Sequence, residues 1–231
     1  MVDLSVTRPV AERDSERSPG SAGELSLRRF SPCTPSALFI GASTGGPQAL
    51  ATLFKELAPH LDAVPVFVVL HMPTDFTSVV AGQIERLTGR STIVANHGEP
   101  PSSGNIYFAP GGTHMRLLRL GSALAICHKN SPPENFCKPS VDVLFRSAAA
   151  AYGPSALGLV LTGMGTDGLA GSREIVAAGG SIIAQDEASS VVWGMPGAVA
   201  QAGLASAVLP LGRIAATVRG LLEGVRPRGA A

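Results

Sequence analysis

The sequence predicts a three-layer α/β/α domain built on a mostly parallel sheet, with a small antiparallel hairpin region. Two observations carry this. From Ala37 onward, short aliphatic and β-branched runs alternate with stretches of helical periodicity, the pattern of a parallel sheet covered on both faces. Residues 92–128 break that alternation with turn-rich sequence (Pro100-Pro101, Ser103-Gly104, Pro110-Gly111-Gly112, Leu120-Gly121), which favours antiparallel strands or a hairpin. At 231 residues, 45% hydrophobic and 15% charged, the chain is long and apolar enough to bury one large core.

Residues 1–35 mix Arg8, Asp14, Glu16, Arg17, Arg28 and Arg29 with Ser, Pro and Gly, so a flexible tail is expected there. A first strand over 37–41 precedes Leu50, Leu53, Phe54 and Leu57, spaced i, i+3, i+4, i+7 behind a first-turn Pro47. After a second strand at 64–70, the stripe Phe76, Val79, Val80, Ile84 and Leu87 predicts a second helix packed on the sheet. Short strands are expected at 92–95 and 105–109. Ser140 suits an N-cap, and Val141, Leu144, Phe145, Ala148, Ala149 and Tyr152 line one face of a third helix. Strands at 156–161, 181–184 and 207–209 follow, with helices after Asp167 and Pro210. The domain is therefore expected over 36–222, with a C-terminal tail at 223–231.

Composition excludes several classes. Eighteen basic against seventeen acidic residues, 5% aromatics and no Lys/Arg stripe argue against nucleic acid. Cys33, Cys127 and Cys137 are odd in number and form no C-x-x-C, which argues against a disulfide framework or zinc knuckle and favours a reducing, cytoplasmic compartment. Two stretches, 147–166 and 188–212, carry no charge, but Gly153, Pro154 and Gly158 interrupt the first and Gly194, Pro196, Gly197, Gly203 and Pro210 the second. They read as buried interior, and no membrane insertion is expected. The N-terminus has no apolar h-region, so no secretory signal is expected.

Gly41-Ala42-Ser43-Thr44-Gly45 matches G-x-S-x-G directly between an apolar strand and a helix. Such a turn holds a serine at an exposed tip, with backbone N–H groups and a helix N-terminus aimed at any oxyanion that forms. The same residues also make sense as a Gly-rich packing turn. A serine nucleophile needs a base, and His71 follows the second apolar run, at the sheet edge where α/β folds collect catalytic groups. His60 and His97 sit in turn-like segments, while His114 and His128 flank the hairpin region and are secondary candidates for lining a site. Asp167, in Leu161-Thr162-Gly163-Met164-Gly165-Thr166-Asp167-Gly168, again follows a strand and can fix the imidazole tautomer. It also suits a plain N-cap; Asp142 and Asp186 compete with it. The order Ser, His, Asp is not that of α/β-hydrolases. A dinucleotide fold fits poorly, lacking G-x-G-x-x-G and an acid after the second strand, and no G-x-x-x-x-G-K-[ST] is present.

Six blocks make the pattern specific: Ile40 to Gly46, His71-Met72-Pro73, Ala109 to Met115, Pro139 to Phe145, Leu161 to Gly168, and Ala184 to Ala188 running on to Gly194-Met195-Pro196. In this order, over residues 36–222, the chain resembles the catalytic domain of the chemotaxis receptor protein-glutamate methylesterases, the CheB family. The resemblance implies Ser43 as nucleophile, His71 as general base and then acid, and Asp167 as its orienting carboxylate. It implies hydrolysis of glutamate γ-methyl esters on the cytoplasmic helices of methyl-accepting receptors, with glutamine deamidation as an associated activity, and no metal or cofactor. Backbone N–H groups of Thr44 and Met164 are the candidate oxyanion donors. Met195, Trp193 and Met115 are candidates for an apolar groove wall or for plain core. The family commonly carries a receiver domain of roughly a hundred residues ahead of the esterase, more than residues 1–35 can hold. A stand-alone, monomeric esterase regulated by a separate protein or not at all, or a piece of a longer product, is therefore expected. The alternative is a catalytically silent receptor-binding module of the same fold.

Overall fold

The computed structural model describes residues 25–225. Nine strands are described: β1 (Ala37–Ala42), β2 (Val66–Leu70), β3 (Thr92–Val94), β4 (Ile106–Phe108), β5 (His114–Leu120), β6 (Ala123–Lys129), β7 (Ala156–Val160), β8 (Ser181–Gln185) and β9 (Ala207–Leu209). Seven form one sheet, in the order β3-β4-β2-β1-β7-β8-β9, and every neighbouring pair in it is parallel. β5 and β6 form a separate antiparallel pair. All seven expected strand segments join the main sheet, and the turn-rich region supplies both the short parallel β3 and β4 and the hairpin.

Helices α1 (Gly46–Leu57), α2 (Thr77–Thr88) and α6 (Leu211–Leu222) belong to one layer; α3 (Val141–Tyr152), α4 (Leu169–Ala177) and α5 (Met195–Gln201), with the hairpin, belong to the other. The period-2 alternation of β1 sets this division: Leu38 and Ile40 enter the first core and Ala37 and Phe39 the second. On the second side, register places Phe39 opposite Phe67 and Phe67 opposite Tyr107, and the rings stack at 5.2 and 5.6 Å.

Three differences from the sequence reading have physical causes. α2 turns Thr77, Val80, Ala81 and Ile84 inward and leaves Phe76, Val79 and Leu87 exposed, because a face of smaller residues at i, i+3, i+4, i+7 meets the sheet. Residues 25–36 lie along the domain: Arg28 N–H donates to Ala205 O (2.9 Å), Ser36 N–H to Ser155 O (3.0 Å), and Ser31 Oγ to Pro154 O (2.7 Å). The rest of the expected N-terminal tail, residues 1–24, and residues 226–231 lie outside the described residues. α5 is short and rich in Ala, Gly and Pro, so no periodic signal marked it.

The strand order places the site. From β1 the chain adds β2 alongside, sets β3 at the edge and fills the place between them with β4, then returns to place β7 on the other side of β1. The carboxyl end of β1 is thus the topological switch point, where loops diverge and leave a crevice.

Candidate active site

Ser43 leaves β1 at this switch point. Its N–H donates to Thr162 O (3.0 Å) and its carbonyl accepts from Gly46 N–H (2.7 Å), closing a tight turn into α1. The ladder runs one residue beyond β2, with His71 N–H donating to Ala42 O at 3.0 Å, so Ser43 and His71 leave neighbouring strands side by side. The turn requires Gly163 on its other flank: a Cβ there would lie 2.7 Å from Ser43 Cβ and 2.5 Å from Met195 Sδ.

The loop after β7 carries Asp167 back over this edge. Asp167 Oδ2 lies 2.8 Å from His71 Nε2, with the carboxylate 2% exposed and the imidazole 14%. A carboxylate only accepts, so Nε2 holds the proton of the neutral ring and Nδ1 keeps its lone pair. Asp167 Oδ2 also accepts from Val141 N–H (2.7 Å), and Oδ1 accepts from Ser140 Oγ (2.8 Å), Asp142 N–H (3.0 Å) and Gly168 N–H (3.1 Å). Asp167 thus caps α3, a different helix from the α4 that follows it in sequence. Asp142 returns the favour to α4: its Oδ1 accepts from Gly168 and Gly171 N–H at 3.0 and 2.6 Å, and its Oδ2 from Asn135 Nδ2 at 2.7 Å. Each carboxylate sits in the positive field of the other's helix N-terminus.

The two acids respond oppositely. Burial pushes Asp167 up, but hydrogen bonds from His71, Val141, Asp142 and Ser140 together outweigh it and hold the carboxyl below its ordinary value. Burial raises Asp142, the Asp167 charge adds to the rise, and its hydrogen bonds offset only part of it.

The Nδ1 side of His71 faces a cleft of about 210 Å³ lined by His71, Met72, Phe136, Cys137, Lys138 and Pro139. Cys137 Sγ lies 3.7 Å from Nδ1 and 3.3 Å from Asn135 O. Burial, then the charges of Asp167 and Asp142, push this thiol up to about 11, so it stays protonated at neutral pH. Among the described residues, Ser43 Oγ makes no hydrogen bond and the N–H groups of Thr44 and Met164 donate to no protein group. The hydroxyl and both donors remain available to a substrate.

The other candidates lie elsewhere. His114 is fully buried in β5, its Nδ1 accepting from Ser140 N–H (3.2 Å) and its Nε2 donating to Pro132 O (3.1 Å). It therefore supports the α3 start and does not open onto the cleft. Met195 and Met115 are fully buried core residues; Met195 sits against Gly163, and Trp193 donates its indole N–H to Gln185 O (2.9 Å). Met164 is 72% exposed. His128 bonds Ala95 O (3.0 Å), His60 stands 3.9 Å from Glu223, and Asp186 accepts from Ser189 in a local turn. Cys137 and Ser140 were missed as site residues. Asp142, the rival acid, bonds the start of α4 instead of His71.

Fold and site together define a class: α/β domains that gather Ser, His and Asp at the carboxyl edge of a parallel sheet. The chain belongs to the CheB methylesterase family, whose model matches residues 38–218. It is 53% identical over 204 residues to the "Protein-glutamate methylesterase/protein-glutamine glutaminase of group 2 operon" of Bradyrhizobium diazoefficiens, covering 88% of this chain and 51% of that one. A protein-glutamate methylesterase/protein-glutamine glutaminase of Nitrobacter winogradskyi is also 53% identical, over 88% of this chain and 48% of its own length. The chain spans about half the length of the curated relatives it matches. The crystal structure of the Thermotoga maritima CheB methylesterase catalytic domain superimposes with a TM-score of 0.78 at 33% identity, covering 82% of this chain and all of that one.

Proposed function

We propose that the protein is a serine hydrolase that removes methyl esters from glutamate side chains of methyl-accepting chemotaxis-type receptors, releasing methanol, and that deamidates receptor glutamines at the same site. The single observation that carries this is the buried His71–Asp167 hydrogen bond beside Ser43, in a chain of the CheB methylesterase family.

Ser43 Oγ attacks the γ-carbonyl while His71 Nδ1 takes its proton, and Asp167 steadies the imidazolium through Nε2–H. Thr44 and Met164 N–H stabilise the tetrahedral oxyanion. His71 returns the proton to the leaving methoxide (ammonia leaves in the amide case), and a glutamyl-Ser43 ester remains. A water deprotonated by Nδ1 then releases glutamate and restores Ser43. The chain's own side chains supply every proton transfer. Phe136, Met164 and Val191, large apolar groups left exposed, suit contact with a helix laid across the edge. We place the enzyme in the cytoplasm, acting as a monomer on the receptors' cytoplasmic helices.

A serine-directed fluorophosphonate tests the assignment. It is expected to label Ser43 of the wild type and leave Ser43→Ala unlabelled; an unlabelled wild type would favour a binding module.

A further inference from the structure

The arrangement that leaves His71 Nδ1 as a base also makes it half of a chelate. Sγ of Cys137 and Nδ1 of His71 stand 3.7 Å apart on the wall of the cleft. With Zn–S about 2.3 Å and Zn–N about 2.0 Å, tetrahedral coordination calls for a ligand separation of about 3.5 Å. The pair needs almost no movement to reach it. Metal-bound histidines usually donate their other ring N–H to a carboxylate, which fixes the ring, and His71 Nε2 already does so to Asp167 at 2.8 Å. Ligand atoms of His71, Cys137 and Asp167 lie within 4.8 Å of one another, so buried negative charge stands close behind the pair. The cleft, about 210 Å³, has room for a cation and several waters at about 30 Å³ each.

We propose that Cys137 and His71 form a site for a thiophilic divalent cation, Zn²⁺ above all, and that its occupation switches the esterase off. On binding, Cys137 gives its thiol proton to solvent as the S–metal bond forms, and the Nδ1 lone pair goes to the metal. Waters complete the coordination. The nitrogen that must take the Ser43 proton is then occupied, so inhibition follows from the same lone pair; this consequence rests on the proposed role of His71.

The test separates the site from its consequence. Zn²⁺ is titrated into the purified chain against a chromogenic chelator, with Cd²⁺ used in parallel to read the thiolate charge-transfer band, in a Cys33→Ser background that removes the exposed rival thiol. One ion per chain is expected, with affinity at least about tenfold weaker in both Cys137→Ala and Cys137→Ser. Absence of binding, or binding indifferent to both substitutions, overturns the site. Ester hydrolysis is then followed with Zn²⁺, each variant normalised to its own metal-free rate. Inhibition reversed by a chelator, with a half-inhibition point at least about tenfold higher in the Cys137 variants, supports the switch. Cys137-dependent binding with unaffected hydrolysis sustains the site and contradicts His71 as the base.

Discussion

His71 presents Nε2, not Nδ1, to Asp167, at 2.8 Å, and so turns Nδ1 toward the cleft and Cys137. Which ring nitrogen keeps its lone pair is decided by the carboxylate. Asp167 itself is held by the start of α3, so the tautomer of His71 is tied to the packing of two helices.

Asp167→Asn places an amide where Val141 N–H and His71 Nε2–H both donate. The imidazole is expected to turn to the wrong tautomer, with kcat for ester hydrolysis falling on the order of 10⁴-fold. A lost cap on α3 adds a stability loss of about 1–3 kcal/mol in denaturant unfolding. A rate loss below about tenfold would reduce Asp167 to a structural cap.

Ser140→Ala removes one donor from Asp167 Oδ1 and raises its folded pKa toward the ordinary value. A carboxyl held below its unfolded value of about 3.9 contributes stability that is fully present above that pH and is lost as pH falls through the folded value. The variant is therefore expected to be less stable by about 1–3 kcal/mol near pH 7, with the gap narrowing as the pH falls below the unfolded value of about 3.9. Urea unfolding across this range checks this, and a gap that does not change with pH would count against it.

Gly163→Ala tests the serine turn. The added methyl would approach Met195 Sδ to 2.5 Å and Ser43 Cβ to 2.7 Å. The turn must shift. Activity is expected to fall on the order of 10²-fold, with about 1–3 kcal/mol lost from stability. Wild-type kinetics in this variant would mean that Ser43 does not depend on the close approach.

Cys137 is expected to resist alkylation at neutral pH, its thiol being pushed up to about 11, while the exposed Cys33 reacts. Mass spectrometry after limited iodoacetamide treatment reads both sites. Equal labelling would show that Cys137 is a reactive thiolate.

Much of this was legible in the sequence because local signals and burial agree. Apolar runs ending at Ala42, Leu70 and Val160 mark strands buried on both faces; Ser43 and His71 follow the first two directly, and Asp167 lies in the loop after the third. The face of α2 was misjudged because Phe76, Val79 and Leu87 are as apolar as the smaller residues that do pack. Residues 25–35 were read as tail because their attachment is long-range, through backbone and hydroxyl bonds of Arg28 and Ser31 and the packing of Phe30. The crossed capping of α3 by Asp167 and of α4 by Asp142 leaves no spacing rule to find, since it exists only once the two helices meet. Cys137 reaches His71 across 66 residues of sequence for the same reason.

The central claim is Ser43-dependent ester hydrolysis, and methanol release from a methylated receptor tests it most directly. Purified chain is incubated with the receptor without any phosphodonor, beside Ser43→Ala. Methanol is expected from the wild type and none from the variant, whose fold should be unchanged because Ser43 Oγ bonds no protein group among the described residues. Equal release from both proteins would contradict the account.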